Sequence, residues 1–129
     1  MVNTFKKICL VFPCLMLLCL SGFSQAPQAI VGKWKGKDEP SRQTEFYQNK
    51  NGSFSGKIIN DTSKSPKNGF LIFKELKYDD RSHTFIGKMT PPDKNIEIDA
   101  TVSFIGKDEL LIVGKMLLFT KTTTFLRIK

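Results

Sequence analysis

The chain has 129 residues, 40% of them hydrophobic, and its 20 basic and 12 acidic residues give a formal net charge of +8 at pH 7. This length allows one domain with a single hydrophobic core. The lysines are dispersed along the chain, which is typical of a solvated surface with some preference for anionic surfaces. The sequence has no basic–aromatic recognition pattern of a nucleic-acid-binding protein, so we expect no nucleic-acid partner.

The first 26 residues have the features of an export signal. Lys6 and Lys7 precede an apolar run over residues 8–20, which is too short to cross a bilayer comfortably and is followed by small residues suited to cleavage. We therefore predict a signal peptide over residues 1–26 and one exported domain, periplasmic or secreted, over residues 27–129. The domain should have no integral membrane segment after cleavage. An uncleaved N-terminal anchor is the alternative, and the cleavage site stays open.

The signal segment also contains every cysteine of the chain, at Cys9, Cys14 and Cys19. We therefore expect the mature domain to lack disulfides, thiol nucleophiles and thiolate metal sites. Removal of Lys6 and Lys7 with the signal leaves 18 basic against 12 acidic residues and a net charge of +6.

Apolar alternation predicts β-strands throughout the mature chain, with glycine, proline and Asn/Asp clusters between them. For the segment 69–77 a short helical turn is the alternative to a strand. Residues 78–82 are predicted to turn the chain. Residues 117–121 are expected to connect the last two strands and to close one end of the barrel. The eight predicted strands are residues 30–36, 42–48, 53–60, 69–77, 83–90, 95–105, 109–116 and 122–128. Such a series predicts an all-β fold, a small antiparallel up-and-down β-barrel.

Within this pattern, residues 95–105 alternate most regularly, with Ile96 and Ile98 on the predicted inner face. Glycines weaken most strands, yet Gly56, Gly87 and Gly114 each lie in the middle of one. We expect them to be structural, letting strands coil or backbones approach one another.

No motif in the mature chain predicts catalysis. His83, the only histidine, begins a strand beside a turn and is expected to be exposed. Acidic and amide side chains alternate from Asp93 to Asp99, but the run lacks the central glycine and terminal glutamate of a calcium loop, so a solvated strand face is the better interpretation. We therefore expect no enzyme activity, metal site or cofactor.

Phenylalanines are abundant, and an eight-stranded barrel is just wide enough to be filled by side chains or to hold one small ligand. The residues predicted to contact an apolar ligand are Phe46, Phe54, Phe85, Met89 and Phe104. Two functions remain open. One is a binding module for a small hydrophobic ligand, and the other is a protein with a filled interior that binds a component of the cell envelope through its outer surface.

The motif Gly32-Lys33-Trp34 near the start, with Arg127 in the last strand, resembles the signature of the lipocalin-like barrels, or calycins. The resemblance implies that the tryptophan plugs the closed end of the barrel and that the arginine stacks across it. Gly32, Trp34 and Arg127 are accordingly assigned to barrel closure, and the first and last strands should be neighbours.

A wider pattern is similar to the bacterial domain of unknown function family 2147, which consists of small exported proteins thought to form lipocalin-like barrels. It comprises the Gly-x-Trp motif, the hairpin into Gly52-x-x-x-Gly56-Lys57-Ile58, Gly87-Lys88-Met89 and the closing Arg-Ile. The chain departs from the family in the turn at 90–95, which lacks a glycine and a tyrosine, and in the absence of a tryptophan before Arg127. The resemblance implies no activity.

Overall fold

A computed structural model describes residues 25–129 of the chain. The predicted signal peptide, apart from its last two residues, lies outside the described residues together with the three cysteines. A short 3₁₀ helix over Pro27–Ile30 precedes eight strands. The strands are β1 Gly32–Gly36, β2 Gln43–Gln48, β3 Phe54–Ile59, β4 Leu71–Asp79, β5 Thr84–Met89, β6 Ile98–Phe104, β7 Glu109–Lys115 and β8 Thr120–Arg127.

Each strand pairs antiparallel with the next, and β8 returns to pair with β1, so the sheet closes into an up-and-down barrel. The predicted fold class is confirmed. The turns at 49–53, 80–83 and 105–108 lie at one end of the barrel with the 3₁₀ helix and the C-terminus. We call this the closed end. The connections at the opposite end, which we call the rim, are residues 37–42, 60–70, 90–97 and 116–119.

Several predicted boundaries are wrong. The first strand begins at Gly32, because Ile30 belongs to the 3₁₀ helix. The strand β4 continues to Asp79, into the predicted turn at 78–82, and β6 begins only at Ile98, which leaves Ile96 in the preceding rim connection with 46% of its surface exposed. The strand β8 begins at Thr120, so the last connection is a tight hairpin turn of four residues. Before β6 the apolar alternation begins ahead of the first paired residue, whereas at the end of β4 and the start of β8 the pairing extends into polar residues, so pairing sets the true ends.

The ambiguous segment in β4 is a strand with a β-bulge. Phe73 and Leu76 are both fully buried although they are three residues apart, whereas Lys74 and Glu75 between them are exposed. The register against β5 shifts at this point, and Glu75 has a φ of 43°. An extra residue in one strand restores the inward direction of the next side chain. The bulge therefore explains why this segment does not alternate.

Side chains from β1 to β7 fill the interior as one core. The hydrophobic residues at most 2% exposed are Ile30 from the 3₁₀ helix and, from the strands, Trp34, Phe46, Phe54, Ile58, Phe73, Leu76, Phe85, Ala100, Val102, Leu110 and Ile112. Aromatic rings pack edge to face within it, as in the pair Phe54 and Phe85, whose centroids lie 5.4 Å apart at an interplanar angle of 89°. This arrangement suits the ring quadrupoles.

The mid-strand glycines make room for these side chains. A Cβ atom on Gly56 would lie 3.0 Å from ring atoms of both Phe46 and Phe73. A Cβ atom added to Gly87 would lie 2.9 Å from the side chain of Leu76, and one added to Gly114 would lie 2.9 Å from the side chain of Ile98. Because such distances leave no space for a methyl group, the interior is filled at these three points.

We expect Gly56→Ala to lower the free energy of unfolding by about 1–3 kcal/mol, because the added methyl group meets two rings in a packed core. Denaturant unfolding followed by Trp34 fluorescence measures the change. Adding Phe73→Leu should recover part of the loss, since the shorter side chain relieves the contact. The control is Lys57→Ala at the adjacent outward-facing position, which should change the free energy of unfolding by less than about 0.5 kcal/mol. A Gly56→Ala protein with unchanged stability would mean that the interior has spare room here.

Candidate functional site

The closed end is organised by Trp34, which has no exposed surface. Its indole Nε1 donates a hydrogen bond of 2.9 Å to the carbonyl of Ile30 in the 3₁₀ helix. The guanidinium carbon of Arg127 lies 4.2 Å from the centre of the indole ring, and the two residues are directly opposite in the β1–β8 register. The structure thus brings together the two residues that the calycin-like motif pairs, in a cation–π contact.

Arg127 also joins separate parts of the closed end. Its Nη2 donates to the carbonyls of Ala29, at 2.9 Å, and Lys107, at 3.3 Å, and its Nε donates to the Asp108 carboxylate at 3.2 Å. Gly32 adopts a φ of +138°, a conformation that a residue with a side chain rarely takes, directly below the guanidinium. These contacts fasten the N-terminal helix and the β6–β7 turn to the last strand.

We expect Arg127→Ala to lower the free energy of unfolding by about 1–3 kcal/mol, because it removes the stacked cation and leaves two carbonyls without their donor. The matched control is Lys129→Ala, since Lys129 pairs with the same Asp108 carboxylate at 3.0 Å but is 75% exposed. That control should change stability by less than about 0.5 kcal/mol. Equal effects of the two variants in thermal and denaturant unfolding would contradict a closing role for Arg127.

Of the five residues predicted to contact a ligand, Phe54, Phe85 and Phe104 pack against one another, and Phe46 packs against Phe73. Phe46, Phe54 and Phe85 are at most 2% exposed, and the rings of Phe85 and Phe104 lie 5.9 Å apart, centre to centre. Met89 is half-buried, nearer the rim. Neither of the two grooves described below is lined by any of the five. A ligand would have to displace packed side chains to reach the phenylalanines, and their assignment as ligand contacts stays a prediction.

A network around Arg42 holds three of the four rim connections together. Its Nε donates to Asp61 at 3.0 Å, and its Nη1 and Nη2 form a two-pronged contact with Asp93 at 3.0 and 3.3 Å. The second of these nitrogens also donates to the Ser65 carbonyl at 3.1 Å. Forked arginine–carboxylate contacts are among the stronger ion pairs. No local pattern in the sequence pairs these residues, which are 19 to 51 positions apart.

Asp61 is the buried centre of this network, with none of its side chain exposed. Burial alone would raise the pKa of its carboxyl group. The amide hydrogens of Ser63 and Lys67, at 2.9 and 2.8 Å, and the Arg42 guanidinium outweigh burial and hold the pKa well below its usual range. The Ser63 hydroxyl is buried without a hydrogen-bond partner, so we attribute the effect to the two amides and the guanidinium.

The lowered pKa of Asp61 makes the rim sensitive to acid. A depressed folded-state pKa stabilises the fold above the unfolded-state value of about 3.9, and this stabilisation is lost as the pH falls below it. We expect the Asp61→Asn protein to have a lower melting temperature than the original protein at pH 7. The difference between the two melting temperatures should narrow between about pH 4 and pH 2. Lys64→Gln, in the same connection, is the control for loss of a surface charge. A gap that stays constant across this pH range would refute the assignment.

Two grooves meet at the rim. One, of about 400 Å³, is bounded by β6 and the β7–β8 turn; the other, of about 470 Å³, is bounded by the start of β4 and the β5–β6 connection. Ile96 and Glu97 line both. The apolar run of the last connection was the sequence signal for this surface, but its predicted role of closing one end of the barrel was wrong. Leu117 and Leu118 are 99% and 90% exposed and cover neither end.

The candidate chemical groups are dispersed. His83 is exposed in the β4–β5 turn with a φ of 55°, and its Nδ1 lies 3.3 Å from the Tyr78 hydroxyl. The acidic run does not converge, because Asp93 pairs with Arg42, Glu97 with Lys74 and Asp99 with Lys88. Within residues 25–129 no group of three or more acidic, histidine or cysteine side chains is placed to hold a metal ion. No helix in this part of the chain is long and apolar enough to span a membrane.

Comparisons of the chain with protein-family models, with characterised proteins and with solved structures give no match. Membership of the family that the sequence resembles therefore stays a prediction, carried by the motifs around Gly32, Trp34 and Arg127.

Proposed function

We propose that the protein is an exported, non-enzymatic binding protein of the cell envelope, a divergent member of the domain of unknown function family 2147, in which the barrel is a packed scaffold and the rim is the interaction surface. The observation that carries this proposal is that the two grooves described above lie at the rim and share Ile96 and Glu97, whereas four of the five predicted internal ligand contacts are rings packed against other core rings.

The physical argument rests on where free surface remains. Aromatic rings pack at short distances against the mid-strand glycines and against one another, so little apolar volume is left for a ligand at these points of the interior. At the rim, by contrast, apolar side chains such as Ile96 stay exposed beside charged ones, and the Arg42 network holds the neighbouring connections in place. A pre-ordered surface of this kind loses less conformational entropy on binding.

A second function, binding of a small apolar ligand from the rim, is favoured by one observation. Met89 and Phe125 lie on inward-facing positions of their strands near Phe73, yet both are only half-buried. Their exposed surface is the part of the interior that a ligand entering from the rim would meet first. Such a ligand would be apolar, because the surrounding side chains offer few hydrogen-bonding groups.

Site-specific photo-crosslinking in cells separates these functions. A photoreactive residue replacing Ile96 at the rim should give discrete crosslinked products with envelope components, and one replacing Lys50, exposed in the β2–β3 turn at the closed end, should give none. Native mass spectrometry of protein purified from cells provides the second measurement. Equal crosslinking at both positions would contradict the rim proposal. A retained small molecule that is lost on Phe125→Ala would establish the internal ligand instead.

A further inference from the structure

The β7–β8 hairpin ends in an uncovered apolar turn, which we call the apolar tip and define as residues 117–119. Leu117, Leu118 and Phe119 are 99%, 90% and 60% exposed. The other large exposed apolar side chains of the described chain are separated single residues, each less than half exposed: Val31, Ile86, Ile96 and Ile105. Single residues of this kind are normal on protein surfaces, but three adjacent ones mark an interaction site.

The charged residues that flank the apolar tip on its own two strands are both lysines. Lys115 and Lys121 flank it on the two strands, and neither forms an ion pair within the described residues. No acidic residue occurs after Glu109 in the sequence. The two carboxylates on the far wall of the groove are already paired with lysines, Glu97 with Lys74 and Asp99 with Lys88. The hairpin therefore presents an apolar end with two lysines behind it. Lys115 faces Asp99 across the β6–β7 pair, whereas Lys121 has no carboxylate opposite it.

The spacing of these groups matches the layers of a membrane surface. Lys121 pairs across the hairpin with Gly114, and Lys115 pairs with Thr120, so each lysine lies two or three residues behind the tip. At about 3.4 Å per strand residue this is roughly 7–10 Å. The polar headgroup layer of a bilayer is about 5–8 Å deep on each side. An apolar end in the acyl boundary would leave both ammonium groups at the depth of lipid phosphates.

We propose that the apolar tip inserts into the headgroup region of an anionic lipid bilayer, with Lys115 and Lys121 binding the lipid phosphates. This inference rests on the proposed function, because it names the partner of the rim. The threonines that follow the tip offer no charged group complementary to a protein partner, and the flanking lysines have a single sign. Both features favour a fluid anionic surface over a shaped protein pocket.

The test uses the exported protein, its N-terminus defined by mass spectrometry, and protein-free vesicles of phosphatidylglycerol and phosphatidylethanolamine or of phosphatidylcholine alone. We expect binding to the anionic vesicles in co-sedimentation. Leu117→Ser with Leu118→Ser should weaken it by about tenfold or more. Exchange of each flanking lysine for glutamine should weaken it by about fivefold, with no effect on phosphatidylcholine vesicles. Ile105→Ser and Lys50→Gln, at the closed end, are the matched controls and should bind as the original protein does.

A tryptophan probe reports the depth of the tip directly. In a Leu118→Trp protein the emission should shift to shorter wavelength with anionic vesicles and be quenched by brominated acyl chains, while buried Trp34 contributes a constant background. Unchanged binding of the tip variants would overturn the inference. Binding that requires added envelope proteins would also overturn it, and so would a dimer that the tip variants abolish. In either case the crosslinks formed from position 96 at the rim would persist. If the crosslinks from position 96 were absent too, the proposed function would be overturned together with the inference.

Discussion

The pairing of Trp34 with Arg127 is the contact on which the closed form of this barrel depends. The β1–β8 seam has three residue pairs, as few as the bulged β3–β4 ladder, whereas β2–β3 and β6–β7 have six each and β7–β8 has seven. Short ladders contribute few hydrogen bonds, so the seam needs side-chain contacts to hold it. The guanidinium supplies them by stacking on the indole and by bonding to the Ala29 carbonyl and the Asp108 carboxylate. Without closure, two strand edges would be left open.

Around the mid-strand glycines the interior of the closed barrel is tightly packed. Gly56 stands where Phe46 and Phe73 converge, and Gly87 stands where the β4 bulge brings Leu76 inward. Each missing side chain is matched by a large one opposite, which keeps the density of the core high in a barrel of short strands. A filled interior stabilises the fold but moves recognition to the outer surface, and the rim is where exposed apolar and charged groups meet.

The rim itself has two unlike halves. Arg42 ties the connections at 37–42, 60–70 and 90–97 to one another through two carboxylates and a carbonyl. The β7–β8 hairpin takes no part in that network and projects its apolar tip into solvent. Exposed leucines lower solubility and contribute nothing to folding, so their presence beside an ordered surface fits a binding role rather than a packing role. Arg42 orders the neighbouring part of the same surface.

Local patterns in the sequence were enough to predict eight strands and the up-and-down order, because alternation is a property of neighbouring residues. The pairing of Trp34 with Arg127 was predicted from the resemblance to the calycin signature. Local patterns were not enough to predict the bulge at Glu75, the buried ion pair of Arg42 with Asp61 or the exposure of Leu117 and Leu118. These features depend on which residues meet across the barrel. An apolar side chain is buried only if another part of the chain covers it, and only the tertiary structure decides that.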